Sequence, residues 1–409
     1  MKDKDMVSND EQLQPGESTE EELKKSILDT VSVCINCRFC LPSCPLFDIT
    51  EGWERQGASG ITRALYIAVK WGIEKEYKDA LANLLFSCTT CKNCVLTCEQ
   101  TSVGVDLVDA IEKGRQLFIE EMIGPMPQQK RALESLERYQ NPYGMLPSER
   151  KEWLKGLNVP TFSKESDALF YVGCTAPHDA YAQNIAKALV KLLEKAKVKF
   201  GIIEDEVCCG NPSVKMGDVL LFEDICEKNL NQFRSLGVKH IVTLSPHCFD
   251  TFVNRYPEGA MQGIKVQHYT QFLADLIDQK KITFKTKISK KVAYQDPCYL
   301  GRHNDVYDAP RKVLNSIPGI EFVEFKKTRA DSLCCGGGGG RMWTDFESEM
   351  ERMANLRVKE ALEIGVDMIV TACPWCYINI VDGVKSVNVE DKLKVRDLAE
   401  LCTEALSLG

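Results

Sequence analysis

No apolar run in this 409-residue sequence approaches the roughly 18 to 20 residues that a bilayer-spanning helix needs, so direct membrane insertion is not expected. An export signal is also missing, since Met1 to Glu22 is polar and acid-rich. Basic residues do not predominate: 51 Lys and Arg stand against 59 Asp and Glu, for a net charge of −8. That balance argues against a nucleic-acid partner, which calls for a basic stripe. A glycine run occurs, but no GK[ST] follows it and no dinucleotide fingerprint opens a helix, which sets aside a phosphate-binding loop. These absences leave a soluble, cytoplasmic protein, whose contact with the inner face of a membrane would go through a partner subunit.

Cysteine is abundant, with 19 residues. In a small secreted chain they would suggest disulfides. Here they form tight clusters in a long chain without an export signal, which favours metal ligation in a reducing compartment. The length calls for two or three domains.

The centre of the pattern is Cys334-Cys335 followed by Gly336 to Gly340 and Arg341. Five glycines cannot lie inside a helix or strand, because they pack nothing and lose the most backbone entropy. Both sulfurs are expected to point into one inorganic cluster, with the glycines letting the backbone approach it. Cys298 upstream and Cys373 and Cys376 downstream complete a five-thiolate set.

Earlier in the chain, Cys34, Cys37, Cys40 and Cys44 form C-x2-C-x2-C-x3-C-P, and Cys88, Cys91, Cys94 and Cys98 repeat the spacing. This is the two-cluster ferredoxin pattern, in which the fourth cysteine of each run serves the other cluster. One [4Fe–4S] cluster is therefore assigned to Cys34, Cys37, Cys40 and Cys98, and the second to Cys88, Cys91, Cys94 and Cys44. A zinc site would need only four ligands, usually as two CxxC pairs. Glu99 stands where the pattern has proline, a departure that bears on the turn and not on the ligands.

Residues 1–17 lack hydrophobic periodicity and are expected to be a disordered tail. Ser18-Thr19-Glu20-Glu21 offers a capping box for a helix. Helical periodicity recurs over 59–72, 74–86, 105–121 and 128–139, giving a helical ferredoxin-like domain over residues 18–145. Asn141-Pro142-Tyr143-Gly144 marks a turn, and 146–166 a linker. From residue 167 strands alternate with amphipathic helices, the signature of a parallel α/β sheet. This part repeats. Cys174, the pair Cys208-Cys209 and Cys248 recur in order as Cys298, Cys334-Cys335 and Cys376, giving two copies of one domain over 167–285 and 286–409. The first copy has Ser245 where the second has Cys373, so its four thiols are open to a further iron–sulfur cluster, of a different kind, or to none. The expected fold class is thus α/β plus a helical ferredoxin.

The C-x31–39-CC-x35–38-CxxC pattern, occurring twice behind a ferredoxin half, resembles the cysteine-rich CCG domains of heterodisulfide reductases, and in particular their D-type polypeptide, equivalent to a C-type one joined to a B-type one. The resemblance covers roughly residues 30–409. It implies a noncubane [4Fe–4S] cluster on Cys298, Cys334, Cys335, Cys373 and Cys376, where the disulfide of coenzyme M and coenzyme B would be reduced in methanogenesis. Electrons would arrive one at a time through the ferredoxin clusters. A membrane b-type cytochrome would be the partner. The same modules resemble iron–sulfur subunits that link a flavoprotein (a 2-hydroxyacid or glycerol-3-phosphate dehydrogenase, or an electron-transfer flavoprotein) to a quinone or another carrier, and that alternative remains open.

Arg302, His303 and Arg341 flank the complete set and are expected to hold anionic groups of a substrate, or else to stiffen the cysteine loops or tune the cluster potential through hydrogen bonds. His178 and His247 flank the incomplete set; His247, next to Cys248, is a candidate replacement ligand, but both are expected as loop or core residues. Cys226 and Cys402, inside amphipathic helices, are expected as buried small hydrophobes.

Overall fold

The computed structural model describes residues 20–101, 103–346 and 351–407. The tail expected over 1–17 and the Ser18-Thr19 start of the capping box lie outside them. Among the described residues no helix is long and apolar enough to cross a membrane.

The first third is helical: α1 (Glu20–Val31), α2 (Pro45–Ile49), α3 (Ala58–Trp71), α4 (Lys78–Phe86), α5 (Asn93–Glu99), α6 (Leu107–Glu120) and α7 (Pro127–Tyr139). Apolar side chains at helical spacing bind them together. Leu107, Val108, Ile111 and Phe118 of α6 share a core with Ile61 and Leu65 of α3 and Leu85 of α4. Asp106 fixes the start of α6 by accepting from the N–H groups of Val108 and Asp109.

The two cysteine runs share a backbone device. Asn36 and Arg38 in the first, and Thr90 and Lys92 in the second, have positive φ, which turns successive N–H groups inward around the sulfurs. The runs end differently where Pro45 and Glu99 differ. Cys44 caps α2, with Pro45 in its first turn, whereas Cys98 lies inside α5, which continues through Glu99. A proline cannot extend a preceding helix, and a glutamate can.

Beyond the turn at Asn141 to Gly144, residues Pro147–Leu154 form a 3₁₀ segment that buries Trp153. The N–H of Phe162 then donates to the Ile202 carbonyl, so the stretch expected as a linker is packed along the first repeat.

That repeat comprises β1 (Ala168–Tyr171), α8 (Ala180–Lys195), β2 (Phe200–Gly201), α9 (Asn211–Met216), α10 (Val219–Leu236), β3 (His240–Thr243), α11 (Pro246–Asn254), β4 (Lys265–His268) and α12 (Tyr269–Asp278). The second comprises β5 (Lys290–Tyr294), α13 (Asp308–Asn315), β6 (Ile320–Val323), α14 (Met353–Glu363), β7 (Met368–Thr371), α15 (Pro374–Ser386), β8 (Lys394–Asp397) and α16 (Leu398–Ala405). The sheets have the orders β2-β1-β3-β4 and β6-β5-β7-β8, parallel throughout. One topology thus occurs twice.

Alternate residues of the central strands serve different cores, as a side-chain period of two requires. Phe170, Val242, Val292, Tyr294 and Val370 enter a single core shared by both repeats. Leu169, Tyr171 and Ile241 face a core of the first repeat that also takes in Leu136 of α7 and Phe162, and Ala293 and Ile369 face one within the second. Both faces of each sheet are covered, the usual condition of parallel strands. Across the shared core α8 packs on α16, and α12 on α13. Because α8 and α13 follow the first strand of their repeats and α12 and α16 the last, these are the same contact with the partners exchanged. That is the geometry of a two-fold related pair. Tyr269 Oη donates to Asp397 at 2.7 Å across this boundary, and Thr403 Oγ1 to the Ala188 carbonyl at 3.2 Å.

Candidate metal centres

In both repeats the cysteines leave the carboxyl ends of the strands, where open α/β sheets place their sites. Cys174 follows β1, Cys208 and Cys209 follow β2, and Cys248 lies in the first turn of α11. Likewise Cys298 follows β5, Cys334 and Cys335 follow β6, Cys373 caps α15, and Cys376 lies in its first turn. Pro246 and Pro374 open α11 and α15, so each helix begins at the sulfurs and turns its positive end toward them.

The complete set forms a continuous web of thiols. Cys298 and Cys91 donate to the Cys334 sulfur, and Cys334 and Cys376 donate to Cys335. Those two donors hold the Cys335 thiol well below the ordinary range. Burial pushes Cys373 up, but the Cys376 thiol and the N–H groups of Cys376 and Trp375 bring it below the ordinary value. The Gly336 N–H lies 3.4 Å from Cys334 Sγ.

The incomplete set has a matching web. Cys208 Sγ donates to Cys174 Sγ at 3.6 Å, and Cys208 and Cys248 donate to Cys209. Burial pushes Cys209 up, yet these thiols and the Asn211 N–H hold it well below the ordinary range. Ser245 occupies the capping position of α11 that Cys373 occupies in α15, and accepts from the His247 N–H at 3.2 Å.

In the ferredoxin half, burial pushes Cys40 up to about 11, and Cys34, Cys37 and Cys98 lie around it. Burial likewise pushes Cys44 up to about 12, beside Cys88 and Cys91. Cys94 faces Cys44, Cys88 and Cys91. Each fourth cysteine therefore sits with the other run. Backbone donors point at sulfur here too, from Thr90 to Cys88 at 3.4 Å and from Val105 to Cys98 at 3.2 Å. All the cysteines are free thiols, and Cys37 alone is exposed. Sulfur-only donor sets, mostly buried or half-buried and met by N–H groups, fit iron–sulfur clusters. Cys402 is buried in α16 apart from the sets, whereas Cys226 of α10 is buried in the same core as the incomplete set, beside Cys209.

The loop Ser87 to Cys91 joins the halves. Arg341 Nη1 donates to the Ser87 carbonyl at 2.9 Å, and Arg115 Nη2 to that of Cys88 at 2.6 Å. His303 Nε2 donates to Thr90 O at 2.9 Å, and Arg302 Nε to Cys91 O at 2.7 Å. The three residues expected to hold a substrate are thus all bonded to the loop that carries Cys88 and Cys91. The glycine run lies against the same loop. A Cβ on Gly338 would come within 2.4 Å of the Thr89 carbonyl oxygen, so the glycines admit a neighbouring backbone as well as bordering the sulfurs.

Several buried groups here escape a motif-based reading. Arg115 also donates to the carbonyls of Leu85, Lys215 and Gly339, and so touches all three parts of the chain. Its signal was an arginine within the apolar stripe of α6, between Ile111 and Phe118. Glu112 holds Lys215 and Arg255 at 2.7 Å each. His247 lies between Tyr299, at 4.0 Å between ring centroids, and Trp375, at 4.1 Å. Tyr299 in turn stacks on His303 at 4.2 Å and hydrogen-bonds Thr90 Oγ1 at 2.6 Å. Burial lowers the pKa of His247 to about 3, so the ring is neutral. His178 is lowered to about 4 by burial and by Arg150.

Sulfur sets on a helical ferredoxin half and on two parallel-sheet repeats define a protein of the iron–sulfur class. Residues 30–102 match the 4Fe-4S dicluster domain, and residues 168–252 and 292–381 each match the CCG cysteine-rich domain. The chain is 31% identical over 406 residues to the D-type polypeptide of the dihydromethanophenazine:CoB–CoM heterodisulfide reductase of Methanosarcina barkeri, covering 93% of this chain and 95% of that one. It belongs to the heterodisulfide reductase D-type family of iron–sulfur proteins. It is also 35% identical over 333 residues to the probable iron-sulfur-binding oxidoreductase FadF of Bacillus subtilis. Over 338 residues it is 35% identical to the EtfAB:quinone oxidoreductase of Syntrophomonas wolfei. These two matches cover 79% of this chain but only 46% of each relative, so the chain spans about half their length. A hypothetical protein from Helicobacter pylori shares the fold, with a TM-score of 0.52 at 11% identity, over 96% of this chain and 73% of that one.

Proposed function

We propose that the chain is the iron–sulfur subunit of a redox complex, and that it reduces a disulfide of the coenzyme M–coenzyme B type at Cys298, Cys334, Cys335, Cys373 and Cys376. The observation that carries this reading is the unbroken succession of sulfur sets. It starts at exposed Cys37, passes the set of Cys88, Cys91, Cys94 and Cys44, and reaches Cys334 through its contact with Cys91. The co-linear match to the Methanosarcina barkeri polypeptide over nearly its whole length supports the same reading.

Reduction of the disulfide takes two electrons and two protons and yields two thiols. Iron–sulfur clusters, when bound, supply the electrons one at a time. The protein's part is to bury the thiolates, direct N–H groups at them, and keep the Cys91 and Cys334 sets in register through Arg115, His303 and Arg341. A membrane cytochrome or a flavoprotein would deliver electrons at the Cys37 face.

A second reading is an electron relay between a flavoprotein and a quinone or similar carrier. It is favoured by the engagement of Arg302, His303 and Arg341 with backbone carbonyls. One experiment separates the two. Reduced viologen and the heterodisulfide are supplied anaerobically to iron-replete protein. Turnover that disappears in Cys335→Ser, while the ferredoxin signals survive, supports disulfide reduction. Absence of turnover from fully loaded protein overturns it and leaves the relay.

A further inference from the structure

Arg302 lies where two sulfur sets meet. Its Nε donates to the Cys91 carbonyl at 2.7 Å, and its Nη1 to the carbonyls of Ala330 and Ser332 at 2.9 and 2.6 Å. These bonds fix the plane of the guanidinium. The remaining nitrogen, Nη2, is buried and has no hydrogen-bond partner among the described residues. A buried N–H group left unmatched costs about 1–3 kcal/mol, so a group so firmly aimed calls for an acceptor. Besides Tyr307, the titratable groups around it are three cysteines, Cys91, Cys298 and Cys334. Cys91 belongs to the second ferredoxin set and the other two to the C-terminal set. Burial disfavours the arginine's charge, and these three sulfurs as thiolates favour it.

We propose that Arg302 is a positioning residue whose Nη2 donates N–H···S hydrogen bonds at the junction of the two sulfur sets, so that one guanidinium sets the reduction potentials of both clusters together. The proposal rests on the reading that Cys88, Cys91, Cys94 and Cys44, and the five C-terminal thiolates, hold iron–sulfur clusters. Hydrogen bonds to cluster sulfur stabilise the more negative, reduced state and raise its potential. A shared donor moves both potentials in the same direction, so the driving force between the two clusters is preserved while both become easier to reduce. It also gives the guanidinium a role that needs no substrate.

The test is a redox titration of the reconstituted full chain, followed by electron paramagnetic resonance, for wild type, R302Q and R302K. In wild type the spectra must first show the C-terminal cluster beside the ferredoxin clusters. Its absence, seen before any variant is made, overturns the cluster reading and this proposal with it. With the clusters present, R302Q is expected to lower the potentials of both the Cys91-bound and the C-terminal cluster. The cluster of Cys34, Cys37, Cys40 and Cys98 stays unchanged as an internal control. Exchange into deuterated water removes a strongly coupled proton from the wild-type clusters, and R302Q lacks that proton from the outset. R302K keeps the charge without the second donor arm, so the smaller shift expected of it still falls on both clusters. Unchanged potentials in R302Q and R302K, a shift confined to one cluster, or an equal shift of all three would overturn the proposal.

Discussion

A Cβ built on Gly339 would lie 2.2 Å from the carbonyl oxygen of Cys88, although the two residues belong to opposite ends of the chain. Backbone cannot yield as a flexible side chain does, and the φ of Gly339 is +62°. Gly339→Ala is expected to cost about 1–3 kcal/mol from overpacking, with strain of ~1–2 kcal/mol from the left-handed conformation in addition. Gly144 has φ +72° and nothing within 4 Å, so Gly144→Ala carries the strain alone. Thermal unfolding of the two variants gives the difference. G339A should also slow electron transfer into the C-terminal set, and G144A should not.

Arg115 serves four buried carbonyls with one planar fork. Arg115→Met leaves them short of donors, and a loss of several kcal/mol is expected, since each hydrogen bond from a charged donor is worth about 1.5–3 kcal/mol. Arg115→Lys should recover only a small part, because an ammonium cannot reach opposite sides of the junction. Denaturant midpoints with clusters loaded would check both.

Burial alone would push the Glu112 carboxyl up, but Lys215 and Arg255 hold it below the ordinary glutamate range. With the native pKa depressed, its contribution is fully present above the unfolded value, about 4.5, and is lost as pH falls through the native one. Glu112→Gln should therefore destabilise strongly at pH 7, where buried Lys215 and partly exposed Arg255 lose their counter-charge. It should also flatten the acid limb of the stability profile. Urea unfolding from neutral to acid pH measures both effects, and an unchanged acid limb would count against the assignment.

Ser245→Cys places a fifth thiol at the helix cap equivalent to Cys373. Because cysteine is a weaker cap, about 1 kcal/mol of stability should be lost. The chain should in return retain more iron per molecule after mild chelation than wild type. Equal iron retention would show that the first set lacks more than a ligand.

Much of the architecture was legible because its signals are local. The cysteine spacings, the turn at Asn141 to Gly144 and the alternation of strands with helices each declare themselves within a few residues. So does the repeat, because each copy carries the full order of a single thiol, a thiol pair and a CxxC or its remnant. The shared core was not legible: Phe170 and Val370 look like ordinary buried strand residues, and nothing in either marks them as neighbours across two repeats. Nor was the direction of Arg302, His303 and Arg341. Their acceptors, the carbonyls of Ser87, Thr90 and Cys91, lie more than two hundred positions away along the chain. Backbone acceptors leave no imprint on residue type, so charged residues beside a thiol set suggest a substrate before they suggest a scaffold.

The two-fold arrangement of the repeats within one polypeptide has a genetic consequence. In a dimer of identical subunits, every substitution appears at both sites at once. Fusion removes that constraint, and Ser245 can stand on one side while Cys373 stays on the other. The thiol-poor copy is still half of the foundation under its neighbour, through α8 against α16 and α12 against α13. A copy so placed can lose its own chemistry and remain indispensable.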